Sequence, residues 1–240
     1  MIEKIKILDK TWPSGLVDFL YPPVCLTCNA FLENPDELIC KDCLDNITEL
    51  DLPFCSICQQ FIQSGIKCPD CEESGLPVFC LGRFTDVLQT MVHQLKYYGF
   101  SRLGSILAEC VVKKYLPALE KLQADYIVPV PLHSTREKSR GYNQAAVLAD
   151  NIGNGTGIET LMDILVRTKK TKDQTRLNPE QRRKNIKGAF EVIGGNLIGK
   201  RVILVDDVVT TGATANEAAV TLRRAGAKPV AVCAVAAAGL

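Results

Sequence analysis

Between Val202 and Thr214 the chain reads Val-Ile-Leu-Val-Asp-Asp-Val-Val-Thr-Thr-Gly-Ala-Thr, and few folds accommodate that order of residues. Four apolar residues, Val202 to Val205, predict a buried strand. Asp206 and Asp207 stand at its end, a short Thr/Gly turn follows, and Ala215 to Arg224 carries a helical pattern. A strand feeding a small-residue loop and then a helix N-terminus makes an anion site, because the first N–H groups of a helix have no partners within it. The N–H groups of Thr210 to Thr214 would converge on a phosphate, with the hydroxyls of Thr210, Thr211 and Thr214 to help. Two carboxylates ahead of that loop are unwelcome beside a bare phosphate. They make sense if the ligand also carries hydroxyls, or a metal ion, a little further on. A phosphorylated sugar fits both halves. The competing reading is an ordinary strand–turn–helix with two solvated aspartates, but this run is far more specific than a lone glycine pattern.

Asp125 to Arg136 (Asp-Tyr-Ile-Val-Pro-Val-Pro-Leu-His-Ser-Thr-Arg) is a second strand running into a loop, followed by Glu137 to Gln144 and an Ala/Leu-rich helix to about Gly153. In a parallel sheet this loop opens at the same carboxyl edge as the Asp206 loop. The two segments resemble the type I phosphoribosyltransferases, whose donor is PRPP (5-phosphoribosyl 1-diphosphate). The resemblance implies that Asp206 and Asp207 face the ribose 2′- and 3′-hydroxyls and offset positive charge developing at the anomeric carbon. It implies that Thr210, Thr211, Gly212, Ala213 and Thr214 hold the 5′-phosphate. Leu132, His133, Ser134, Thr135 and Arg136 would receive the pyrophosphate, to which an arginine fork can donate in two directions. Asp206, Asp207 and Arg136 are thus the candidate catalytic residues, and Mg²⁺ would arrive with PRPP. A loop histidine such as His133 more often positions its neighbours than acts as a base.

Eight of the eleven cysteines form four C-x-x-C pairs, Cys25/Cys28, Cys40/Cys43, Cys55/Cys58 and Cys68/Cys71. Each pair can wrap two thiolates onto one tetrahedral ion, and two pairs complete a site, so the spacing predicts two structural zinc ions. Disulfides are the rival reading and suit a reducing compartment poorly; an iron–sulfur cluster is a second rival. The short polar spacers favour two sequential ribbons, first pair with second and third with fourth, over a cross-braced arrangement. Residues 1–78 hold five Lys/Arg against thirteen Asp/Glu, a balance of −8, whereas residues 79–240 hold 23 against 14, a balance of +9. Zinc bound by four thiolates adds further negative charge, so the cysteine region repels a phosphate backbone and its metal reads as structural. Cys80, Cys110 and Cys233 read as packing residues.

Arg140-Gly-Tyr-Asn-Gln144, placed after the Val-Pro-Val-Pro-Leu loop, is similar to the ComF family of phosphoribosyltransferase-like proteins linked to natural DNA uptake. The cysteine ribbons, His93-Gln-Leu-Lys-Tyr-Tyr-Gly99 and the stretch from Gln174 to Phe190 agree with that resemblance. It implies PRPP and an unidentified acceptor as partners, with single-stranded DNA or DNA-uptake proteins as further ones. Whether such a protein transfers phosphoribosyl, senses PRPP without turnover, or assists DNA uptake stays open. Residues 166–187 carry nine Lys/Arg against two acids, a balance of +7. Lys169, Lys170, Lys172, Arg176 and Arg182 in this stretch form a candidate lid over an anionic ligand; a solvated surface loop is the plain alternative. Met1 to Leu20 lacks a signal-peptide core and Val230 to Ala238 is too short to span a bilayer, so the expectation is a cytoplasmic protein without stable membrane insertion.

Strands near Phe79–Phe84, Tyr126–Val130, Ile164–Arg167, Val202–Val205 and Val230–Val235 alternate with helices near 86–98, 102–115, 143–152 and 214–225. This predicts an α/β fold, a type I phosphoribosyltransferase-like, mainly parallel sheet flanked by helices. The expected organisation is an N-terminal extension (1–24), a double zinc-ribbon module (25–78) and a phosphoribosyltransferase-like domain (79–240).

Overall fold

The computed structural model describes residues 22–63, 67–72, 74–97, 100–169 and 179–240. Residues 1–21 of the expected N-terminal extension and the lid residues Lys170, Lys172 and Arg176 lie outside them. The chain divides into two compact units, Met1–Ile47 and Thr48–Leu240.

In the first unit Cys25 and Cys28 sit in a turn closed by Cys25 N–H to the Ala30 carbonyl at 2.8 Å and Asn29 N–H to the Cys25 carbonyl at 2.9 Å. The only described helix of this unit is α1 (Lys41–Asp45), whose N-cap is Cys40.

The second unit is built on a six-stranded sheet. Its strands are β1 (Phe54–Cys55), β2 (Pro77–Arg83), β3 (Tyr126–Pro129), β4 (Glu159–Thr160), β7 (Arg201–Val209) and β8 (Lys228–Ala237). They lie in the order β1-β2-β8-β7-β3-β4, all parallel except β1 against β2. The central strands are apolar on both sides, and Val202 to Val205 have no exposed surface. Strands of that kind must be covered on both faces. Helices α2 (Asp86–Tyr97), α3 (Ser101–Lys121) and α5 (Gln144–Thr156) pack on one face, and α7 (Ala213–Arg224) on the other. Alternation along the strands divides the core accordingly: Val128, Leu204, Val232 and Ala234 pack with Ala215, Ala218 and Leu222 of α7.

Three boundaries depart from the sequence expectation. The strand expected at Val202–Val205 continues to Val209, because small residues of β8 keep pairing with it, as in Asp206↔Ala234 and Val208↔Ala236. The two aspartates are therefore ladder residues. The strand expected at Ile164–Arg167 is β5 (Leu165–Arg167); it leaves the main sheet and pairs antiparallel with β6 (Phe190–Val192). Helix α3 runs through Pro117, since Leu119 and the following Leu122 are fully buried and hold the last turn despite the lost hydrogen bond.

Candidate functional site

β3 and β7 are parallel neighbours, with Pro129 opposite Val205, so the loops at their carboxyl ends lie side by side. The chain leaves β3 toward α5 on one face and leaves β7 toward α7 on the other. A crevice opens where connections diverge in this way. It measures about 510 Å³ and is lined by Leu132, Arg136, Arg140, Gln144, Arg167, Arg182, Asp206, Asp207, Thr210, Gly212, Ala213 and Thr214, with Phe84, Lys96 and Tyr97 among the rest of its wall.

Adjacent strand residues point to opposite faces, and the two carboxylates have different surroundings. Asp207, 5 % exposed, accepts from Gln144 Nε2 at 2.7 Å and pairs with Lys96 Nζ at 3.0 Å. Asp206 Oδ1 accepts the Asp207 N–H at 2.8 Å. Burial, and then the charge of Asp207, push the Asp206 carboxyl up to about 7. Arg167, stacked over the Phe190 ring at 5.7 Å, is pressed downward by burial and by the charge of Arg136, an effect that Asp206 opposes. The crevice thus sets the two carboxyl groups among Arg136, Arg140, Arg167 and Arg182.

Gly212 caps α7 with φ +68° and, as a glycine, brings no side chain to the first turn of that helix. Two other helices at the crevice carry side-chain caps: His133 accepts from Thr135 N–H on α4 (Ser134–Arg140), and Asn143 accepts from Ala145 N–H at 3.0 Å on α5. The glycine-started α7 end lines the same crevice as Asp206 and Asp207. Thr210, Gly212, Ala213 and Thr214 line the crevice. Thr211 does not, and its hydroxyl is buried without a hydrogen-bond partner among the described atoms.

The second loop is shorter than expected, because helix begins at Ser134. Leu132 and Arg136 reach the crevice, while His133, Ser134 and Thr135 form the cap and first turn of α4 and do not line it. Among the candidate lid residues Arg182, on α6 (Pro179–Ile186), lines the crevice; Lys169 instead donates to the Lys187 carbonyl at 3.4 Å.

The segment Arg140–Gln144 works residue by residue. Arg140 donates to Gln144 Oε1 at 2.6 Å and stands 5.3 Å over the Tyr97 ring. Gly141, at φ +85°, ends α4. Tyr142 donates its hydroxyl to the Leu95 carbonyl, tying the segment to α2. Asn143 donates to the Val130 carbonyl at 3.2 Å while capping α5. Gln144 passes the line of contacts on to Asp207. Lys96 and Tyr97 lie in the His93–Gly99 segment, Gln144 in the Arg140–Gln144 segment and Arg167 in the basic stretch, but the sequence assigned none of them a role in the site.

The eight paired cysteines gather into two four-sulfur groups, Cys25/Cys28/Cys40/Cys43 and Cys55/Cys58/Cys68/Cys71, with sulfurs within 4.8 Å of one another. Contacts of 3.8 Å (Cys25–Cys43), 3.7 Å (Cys28–Cys40) and 3.6 Å (Cys58–Cys68) match the spacing of about 3.8 Å between thiolates on a tetrahedral zinc. Backbone N–H groups point at the sulfurs, Cys40 to Cys25 at 3.3 Å and Ile57 to Cys55 at 3.4 Å, as suits anionic ligands. Both groups fit zinc, and the pairs join sequentially.

Residues 16–72 match the double zinc ribbon domain and residues 138–239 the phosphoribosyl transferase domain. Competence protein F of Haemophilus influenzae is 30% identical over 217 residues, covering 87% of this chain and 94% of that protein. DNA utilization protein YhgH of Salmonella typhimurium is 33% identical over 203 residues, covering 75% of this chain and 88% of that one. The chain belongs to the ComF family. Competence protein ComFC of Streptococcus pneumoniae, 30% identical over 203 residues, covers 83% of this chain and 87% of its own length. Within this ComF-family chain the phosphoribosyl transferase match takes in α5, β7, α7 and β8, and the double zinc ribbon match takes in all eight paired cysteines. No helix among the described residues is long and apolar enough to cross a membrane.

Proposed function

We propose that the crevice binds PRPP and that the protein transfers its phosphoribosyl group to an acceptor, releasing pyrophosphate. The observation that carries this reading is the joining of two unlike features at one sheet edge: a glycine-started helix N-terminus at Gly212–Thr214, suited to a phosphate, and the Asp206–Asp207 pair, suited to vicinal hydroxyls. In this reading the ribose lies over the aspartates with its 5′-phosphate on residues 210–214. Arg136, Arg167 and Arg182 surround the diphosphate. The bond from the anomeric carbon to the diphosphate oxygen breaks with its electrons leaving on pyrophosphate, and an acceptor atom takes that position on the sugar. Carboxylates beside the ring stabilise the cationic character of the transition state, and the arginines stabilise the departing charge. Mg²⁺ bound with PRPP would supply further charge compensation to the diphosphate and the ribose hydroxyls. Tyr97, Arg140 and Phe84 stand where an acceptor would enter. The decisive experiment is calorimetric titration with PRPP and Mg²⁺, followed by a pyrophosphate-release assay across candidate nucleobase and amine acceptors. Failure of the protein to bind PRPP sinks the reading. Tight binding without release for any acceptor reduces it to a PRPP sensor.

The relatives named for competence and DNA utilization favour a second reading, assistance to single-stranded DNA uptake. The +7 stretch from 166 to 187 would contact phosphates, so affinity for single-stranded DNA should fall steeply with salt and drop when Lys169, Lys170 and Lys172 are replaced by Gln. Salt-insensitive binding, or binding indifferent to those changes, removes its physical basis.

A further inference from the structure

The second cysteine group and the loop after β7 lie in the same compact unit, and they meet. Ser56 stands between Cys55 and Cys58 with none of its surface exposed. Its Oγ lies 2.7 Å from Asn216 Oδ1 and donates to it; Asn216 Nδ2 donates back to the Ser56 carbonyl at 2.8 Å. The same Oγ accepts the Leu76 N–H at 3.0 Å, and Ser56 N–H donates to the Leu76 carbonyl at 2.9 Å. Gln59, just after the pair, donates its side-chain amide to the Thr210 carbonyl. Gly212 is pressed so closely on this turn that a Cβ there would fall 1.9 Å from the Ser56 carbonyl oxygen. The requirement for glycine at 212 is therefore double: a left-handed φ of +68°, and a cysteine turn packed against its backbone.

These contacts fall on the backbone that would grip an anion. A peptide's carbonyl and its N–H point in opposite directions across one plane. Holding the Thr210 carbonyl on Gln59 therefore fixes where the Thr211 N–H points. Asn216 sits on the first turn of α7, its own N–H bonded to the Gly212 carbonyl at 2.8 Å. Fastening Asn216 to Ser56 sets the tilt of that turn. The cysteine turn in its own right is held by Cys55 N–H to the Gln60 carbonyl at 2.9 Å, Gln59 N–H to the Cys55 carbonyl at 3.0 Å, and Ile57 N–H to the Cys55 sulfur. Its shape depends on where the Cys55 and Cys58 sulfurs are kept.

We infer that the turn Cys55–Gln59 is the back wall of the anion loop, with Ser56, Gln59 and Asn216 as positioning residues, so that zinc held by Cys55, Cys58, Cys68 and Cys71 and a phosphosugar held by residues 210–214 strengthen each other's binding. This rests on the phosphosugar reading of that loop. Coupling between two binding events is reciprocal: whatever factor zinc contributes to ligand affinity, the ligand contributes to zinc affinity. The Cys25/Cys28/Cys40/Cys43 site has no part in it.

The test measures zinc release from the full-length, two-zinc protein to a colorimetric chelator, with and without saturating ribose 5-phosphate. That probe carries the phosphate and both hydroxyls and needs no Mg²⁺. Two release phases are expected, one slowed tenfold or more by ribose 5-phosphate and the other unchanged. Gln59→Ala and Asn216→Ala, in preparations that retain two zinc ions, should bind ribose 5-phosphate at least tenfold more weakly and lose the slowing. Wild-type protein that binds ribose 5-phosphate yet releases both ions at unaltered rates overturns the inference, as do variants that bind like wild type. The wild-type measurement stands even if a variant fails to fold. Wild-type protein that binds neither ribose 5-phosphate nor PRPP overturns the phosphosugar reading itself, and the coupling with it.

Discussion

Two adjacent aspartates of one strand have been given opposite environments, and that contrast is testable. Asp207 is satisfied by Lys96 and Gln144, whereas Asp206 has burial and a like charge against it. Folding raises the Asp206 pKa, so the native state keeps its proton where the unfolded chain has lost it. The contribution of Asp206 to the stability of the ligand-free protein should therefore decline as pH rises from about 4 to about 7 and level off above. Asp206→Asn should flatten that slope, as read from urea midpoints at successive pH values. Replacing both residues (Asp206→Asn with Asp207→Asn) should abolish PRPP binding in calorimetry while the far-ultraviolet circular dichroism stays unchanged; retained affinity would separate these carboxylates from the ligand. The pair was legible in sequence because it stands inside a local pattern, a strand followed by a loop and a helix. Its partners were not. Lys96 lies more than a hundred residues earlier, and only the packing of α2 over the sheet edge brings it to Asp207.

At the level of elements, patterns with one dominant neighbour were readable and those that depend on a choice of neighbour were not. β7 and α7 are contiguous, and α5 begins at a good capping residue, Asn143. By contrast, Leu165 and Val166 of β5 are apolar enough to suit any sheet, and only the antiparallel register of the strand with Phe190–Val192 assigns it. The continuation of α3 past Pro117 likewise depends on burial of Leu119 and Leu122, which no local propensity reports. The same helix carries Tyr115, whose hydroxyl lies 2.9 Å from the Leu50 carbonyl and 2.8 Å from the Cys80 carbonyl. It has one proton for two acceptors, and its phenol is shielded from water. Tyr115→Phe removes the donor from both carbonyls and should cost about 1–2 kcal/mol in denaturant unfolding, with no effect on ligand affinity, since the residue does not line the crevice.

Across the whole molecule, composition and compaction divide the chain at different places. The charge balance changes sign near residue 78, but the compact units separate after Ile47. The reason lies in the second cysteine group: β1 carries Cys55 into the sheet beside β2, and Ser56 reaches Asn216 across 160 positions of sequence, a pairing that spacing rules cannot see. The two groups thus belong to different units although their motifs look alike. Native mass spectrometry should find two zinc ions per chain, and mutation of Cys28 to Ser should leave one; a folded protein with no metal would return the cysteines to a thiol or disulfide role. The crevice also has a consequence for descent. The loops after β3 and β7 supply the features suited to a sugar phosphate, while Lys96 and Tyr97 enter from the end of a single helix, α2. On the proposed phosphosugar reading, a lineage can rewrite that helix end and change what meets the sugar without touching the residues that would grip it. Lys96, bound to Asp207, is the position where such a rewriting would be constrained.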